Sequence, residues 1–147
     1  MFYHQSRNPY LVLSSLLFLA PMYSAYHIQE LWVTTAALGG LIVASTSYHM
    51  TKNGVLYYID QGAISILFLR SIIDGLRGGS GCLTIALAVN GTCFYLYYYG
   101  RLYQGLIWSP DFFVATASHA CMHLLVAGGY IALIAQYAEN LKTGGRD

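Results

Sequence analysis

Charge is scarce in this sequence. Only 9% of its 147 residues are Asp, Glu, Lys or Arg, against roughly 25% in a soluble domain. That shortage excludes a water-soluble globular surface, and a formal net charge of +1 excludes an electrostatic grip on nucleic acid. Cysteine is scarce too. Cys82, Cys93 and Cys121 are scattered with no CxxC spacing, which excludes a disulfide framework. No polar domain, internal repeat or low-complexity stretch interrupts the chain, and its length fits one domain.

What is present in abundance is apolar sequence, 56% of residues. It falls into long runs of the length that crosses a bilayer. The runs cover approximately residues 9–28, 31–50, 55–73, 82–100 and 111–137. The expected fold is therefore all-α, a polytopic transmembrane helical bundle of about five spans forming a single domain, in a membrane that the sequence does not name. The first run is read as a retained span, because Tyr23 interrupts the small-residue pattern that a signal-peptidase site needs. Pro21 within it predicts a kink. Gly39-Gly40 predicts close helix packing. Arg70 is expected to snorkel to the nearer interface, and Asp74–Gly81 to form a flexible glycine-rich loop. Asn90-Gly91-Thr92 lies in mid-span, so it is read as packing rather than as a glycosylation site. Ser109-Pro110-Asp111 reads as a helix start with a capping serine, proline at the first position and an acid in the first turn.

The polar residues left inside these runs are few and patterned. Ser45 and His49 are four apart, as are His119 and His123, so each pair shares a helix face. Asp60 lies near the start of the third run. Let side A be the side on which the first span begins. The second span then ends on side A near His49, the third begins there with Asp60, and the fifth enters from side A. At 1.5 Å per residue, His119 and His123 lie roughly 12–18 Å in. All five residues thus share one depth on one side. Side A also collects Tyr48, Tyr57, Tyr58, Tyr97, Tyr98, Tyr99, Tyr103 and Trp108, rings suited to headgroup level. Positive residues divide almost evenly, with Arg7, Lys52 and Arg101 on side A against Arg77, Lys142 and Arg146 on side B, so charge bias assigns no orientation.

Three neutral imidazoles, His49, His119 and His123, are a sound ligand set for Zn²⁺ with a fourth position open to water. Zinc lowers the pKa of such a water to about 7, making it a nucleophile at neutral pH. Asp60 is placed to act as general base and Ser45 to hydrogen-bond the water or a developing oxyanion. Each residue alone has a plainer reading. Membrane histidines and serines bond between helices or back to their own backbone, and Asp60 has Lys52 as an alternative partner. Residue 120 is alanine, so HExxH zincin chemistry is excluded. Cys121 lies about 200° round the helix from His119 and should stand outside the ligand set. His4 and His27 look peripheral.

The arrangement Ser45-x-x-x-His49, Asp60, His119-x-x-x-His123 resembles the signature of the CREST superfamily. That group includes the alkaline ceramidases, the adiponectin-receptor and progestin-receptor (PAQR) proteins with haemolysin III, and the myomaker-type proteins. The step from His49 to Asp60 is similar to the alkaline ceramidases, and Ile59-Asp60-x-Gly62-Ala63-Ile64 looks more like the PAQR pattern. The resemblance implies zinc on His49, His119 and His123, with Ser45 and Asp60 holding the zinc water. It covers about residues 41–66 and 115–127. Family members typically have seven spans, whereas this chain has room for five. The acidic N-terminal motif that resembles a calcium site in alkaline ceramidases has no counterpart here.

The expected function is zinc-dependent intramembrane hydrolysis of a lipid amide or ester, with a membrane lipid as substrate. The alternatives are a receptor-like or membrane-remodelling protein with structural zinc, and, ranked last, a b-type haem protein. Five spans around a buried site also point to a homodimer.

Overall fold

In a computed structural model, residues 8–51 and 53–144 are described. Five helical segments in them are long and apolar enough to cross a membrane: Pro9–Tyr26, Gln29–Thr51, Gly54–Gly78, Ser80–Trp108 and Phe112–Thr143. No strand occurs among the described residues. The protein is a multi-pass integral membrane protein built as an all-α bundle. Its core lies where the spans meet, around Phe18, Leu38, Leu67, Val126 and Tyr130, while Leu69, Leu87, Phe113 and Leu124 face outward. An apolar exterior over a partly polar interior is the expected arrangement in lipid.

The first span is two helices, α1 (Pro9–Ser15) and α2 (Leu19–Tyr26), joined by a 3₁₀ turn at Leu16–Phe18. Pro21 accounts for the break. Its ring collides with the carbonyl four residues earlier, that of Leu17, and it has no N–H to offer there. Asn8 fixes the start. Its side chain accepts from the N–H groups of Tyr10 and Leu11 and donates to Thr116 Oγ1 at 2.8 Å, while its own N–H reaches the His49 carbonyl at 3.3 Å. One capping residue thus ties the first span to the ends of two others.

The second span is α3 (Trp32–Thr51) with a 3₁₀ turn, Gln29–Leu31, before it. Then come α4 (Gly54–Gly78), α5 (Ser80–Tyr103) and α6 (Phe112–Thr143). Asn53 caps α4 through Val55 N–H at 2.8 Å. Asp111, not Ser109, caps α6, accepting from Val114 N–H at 3.0 Å. Ser109 instead accepts from the Asp111 N–H at 3.2 Å, bracing the turn before the helix. The helix start therefore falls at Phe112, beyond Pro110, because the carboxylate reaches the third amide of the helix and the serine does not.

Three further expectations are corrected. Asp74–Gly81 is not a flexible loop, because α4 continues to Gly78 and the whole turn is Gly79, at φ 97°. The turn is this tight because a Cβ on Gly75 would stand 2.9 Å from Leu83 Cα, and one on Gly78 would stand 2.6 Å from Cys82 Sγ. Only glycine allows α4 and α5 to close so near, and Asn140 Nδ2 satisfies the Gly78 carbonyl at 2.5 Å. Gly39-Gly40 does not mark the tight contact: Gly39 meets only the Met22 sulfur at 3.6 Å and Gly40 nothing within 4 Å. Close approach occurs instead at Gly129, where a Cβ would lie 2.4 Å from Val89 Cγ2.

Arg70 does not snorkel. It is 8% exposed, its guanidinium contacts Asp74 at 2.5 Å, and its Nε donates to Thr34 Oγ1 at 3.1 Å. Thr34 in turn donates to Asp74. A carboxylate one helical turn away neutralises the charge inside the bundle, so the side chain has no need of the interface. Arg7, Lys52 and Arg146 lie outside the described residues. Asn90 behaves as read, donating from α5 to Ser71 Oγ of α4 at 2.9 Å and to the Phe68 carbonyl at 3.3 Å.

Removing one partner of the buried ion pair should therefore be severe. Asp74→Ala leaves Arg70 uncompensated, with an expected loss of about 3–5 kcal/mol, while Arg70→Met/Asp74→Leu together should be much milder. Thermal unfolding in detergent, read by circular dichroism, compares the two.

Candidate metal centre

His49 lies in the last turn of α3, and Ser45 one turn before it, both buried, at 0% and 1% exposed. Asp60, 2% exposed, comes from the second turn of α4. His119 and His123 lie on one face of α6, His123 buried and His119 partly so. The short Thr51–Gly54 connection makes α3 and α4 antiparallel neighbours, and α6 enters from the same side. Two sequence-distant segments, α3 and α6, thus bring their three histidines together, and Asp60 of α4 reaches Ser45 beside them.

The three imidazoles converge. Ring centroids are 5.0 Å apart for His49 and His119, 4.8 Å for His119 and His123, and 5.9 Å for His49 and His123. One ligating atom from each lies within 4.8 Å of the others. Imidazole nitrogens are a donor type that Zn²⁺ takes, at Zn–N of about 2.0–2.1 Å. Asp60 has Ser45 and Gln61 as side-chain hydrogen-bonding neighbours. Its Oδ1 is buried without a hydrogen-bond partner among the described residues. A buried, half-satisfied carboxylate is costly; it stands outside the converging set of three histidines and is linked to it through Ser45, one turn from His49. The alternative pairing with Lys52 falls outside the described residues, as does His4. His27 caps α2 and packs on Tyr23 and Tyr26, away from the cluster.

Two residues of the site escaped the sequence reading. Ser14 Oγ lies 2.8 Å from His123 Nδ1, and Ser15 Oγ lies 3.0 Å from Ser45 Oγ. Both come from α1, and Phe18 sets its ring against His123 at 5.4 Å between centroids. A signal was present: adjacent serines in an otherwise apolar run, about 9 Å past Pro9 at the helical rise, hence on side A with the other five.

A cavity of about 240 Å³ runs from this cluster into the bundle. Ser45, Gln61, His119 and His123 line its polar end, and Leu41, Leu67, Phe68 and Val126 its apolar remainder. Ser65 of α4 and Phe94 and Tyr98 of α5 line it as well and are exposed on the outer surface. Outward-exposed residues of α4 and α5 thus form part of its wall. Cys121 is exposed and apart from the cluster, as its position on the helix requires.

Compared with protein-family models, curated proteins and solved structures, the chain finds no match.

A hydrophobic maleimide should label Cys121 in detergent while Cys82, buried against α6, stays unreacted. Peptide mass spectrometry of the labelled protein identifies the site. Rapid labelling of Cys82 would contradict the packing of α5 on α6.

Proposed function

We propose that the protein is a zinc-dependent intramembrane hydrolase of a lipid amide or ester. The observation that carries this reading is the convergence of three imidazoles, two of them at the polar end of an apolar cavity, with a buried, incompletely bonded carboxylate joined to the cluster through Ser45. His49, His119 and His123 would hold the ion. Bound there, zinc supplies Lewis acidity and a water acidic enough to react at neutral pH.

The chain's own groups then have distinct tasks. Asp60 takes the proton of the attacking water on its unpartnered Oδ1 and returns it to the leaving amine or alcohol. Ser45 hydrogen-bonds Asp60 and orients the carboxylate that takes this proton. The apolar wall from Leu41 to Val126 holds an acyl chain and excludes bulk water, which strengthens each of these interactions. All three histidines and Asp60 come from one chain, so a homodimer would enlarge the lipid-binding space rather than complete the ligand set.

Detergent-purified protein should contain about one zinc per chain, lost in His119→Ala/His123→Ala, by elemental analysis. Asp60→Ala should retain zinc and lower turnover of labelled ceramides, phospholipids or other acyl lipids by about 10²–10⁴-fold. Zinc retained with no turnover of any acyl lipid by the wild type would point to the receptor-like reading with structural zinc. A Soret band in place of zinc would point to haem.

A further inference from the structure

The first span makes polar contact with the metal centre at two points, and one of them bears on the chemistry of a ligand. Ser14 Oγ has a single proton and two neighbours: the Leu11 carbonyl at 3.0 Å and His123 Nδ1 at 2.8 Å. A carbonyl can only accept, so the contact with Leu11 uses that proton. With its proton on Leu11, the hydroxyl oxygen is left to accept, and the partner that suits it is Nδ1–H.

We infer that Ser14 is a positioning residue that holds His123 as the Nδ1–H tautomer and so reserves Nε2 as its ligating nitrogen. The inference rests on the metal reading of the site and deepens it. A neutral imidazole has one proton, and the bond made by one ring nitrogen decides which nitrogen is free to bind an ion. Metal-bound histidines generally hand their second N–H to such an acceptor, which sets both ring orientation and basicity. Here the acceptor comes from a separate span. His123 is 8% exposed, so water does not compete freely for its Nδ1–H. Phe18, from the same span, packs against the ring.

Another serine of the same span supplies the control. Ser24 also donates to the carbonyl one turn back, that of Ala20, at 3.0 Å, but this bond is exposed and lies away from the cluster. Loss of either hydroxyl removes the same kind of back-bond from the first span. Only loss of Ser14 frees the imidazole.

Zinc affinity is measured by chelator competition on detergent-purified protein, with helicity and size-exclusion profile checked for each variant. Ser14→Ala should bind zinc about 10–100-fold more weakly than wild type. Ser14→Thr, which keeps the hydroxyl, should recover most of that loss, and Ser24→Ala should match wild type. A folded Ser14→Ala protein with wild-type affinity overturns the inference, as does an equal loss in Ser24→Ala. The tautomer is read separately on metal-free protein by ¹⁵N-histidine NMR. His123 should be Nδ1–H in wild type and should lose that preference in Ser14→Ala; an Nε2–H signal in wild type also overturns it. If wild type binds no zinc, the hydrolase reading fails while the tautomer result still decides the role of Ser14.

Discussion

Inside a bilayer there is no water to satisfy a polar group, and this constraint shapes every polar contact in the bundle. An unsatisfied group there costs several kcal/mol. The chain answers by gathering its intramembrane polar residues into a few connected sets. Toward side B, Arg70, Asp74 and Thr34 form a closed triangle in which charge meets charge and the hydroxyl serves both. In mid-bundle, Asn90, Ser71 and Tyr130 bond between α4, α5 and α6. Toward side A lie Ser14, Ser15, Ser45, Asp60 and the three histidines.

The sets differ in kind. In the Arg70 triangle opposite charges meet at 2.5 Å and the Thr34 hydroxyl bonds both residues. The side A set has three converging imidazoles, two of which line a cavity, and a buried carboxylate with no cation paired to it among the described residues. One set consumes its polarity in holding helices together. The other directs its polarity toward a space where a ligand can be. That contrast, rather than the presence of histidine as such, is why the metal reading favours one end of the bundle.

Small residues make this arrangement possible. Gly75 and Gly78 bring the end of α4 against α5, and Gly129 admits Val89 from α5 onto α6. These approaches pull the side B half of the bundle tight. Toward side A, Leu41, Phe68, Tyr97 and Met122 line the cavity. The Pro21 break in the first span lies just beyond Ser14 and Ser15, in the stretch where α1 packs on α3 and α6.

Much of this was legible in the chain itself. Apolar run lengths determined five spans, since only a helix of about that length crosses lipid with its backbone satisfied. Parity and the 1.5 Å rise then determined that Ser45, His49, Asp60, His119 and His123 share one side and depth. Spacing could not reveal partners on other elements. Arg70 reads as a snorkelling cation until Asp74 and Thr34 are seen to enclose it. Gly39-Gly40 reads as a packing face, whereas the close contacts fall at Gly75, Gly78 and Gly129. Ser14 and Ser15 read as incidental until α1 lies against α6 and α3. Depth along a span follows from counting residues, so the sequence by itself determined it. Rotation about each helix axis depends on which neighbour buries which face, so only the tertiary structure decided which serine meets which histidine and where the cavity lies.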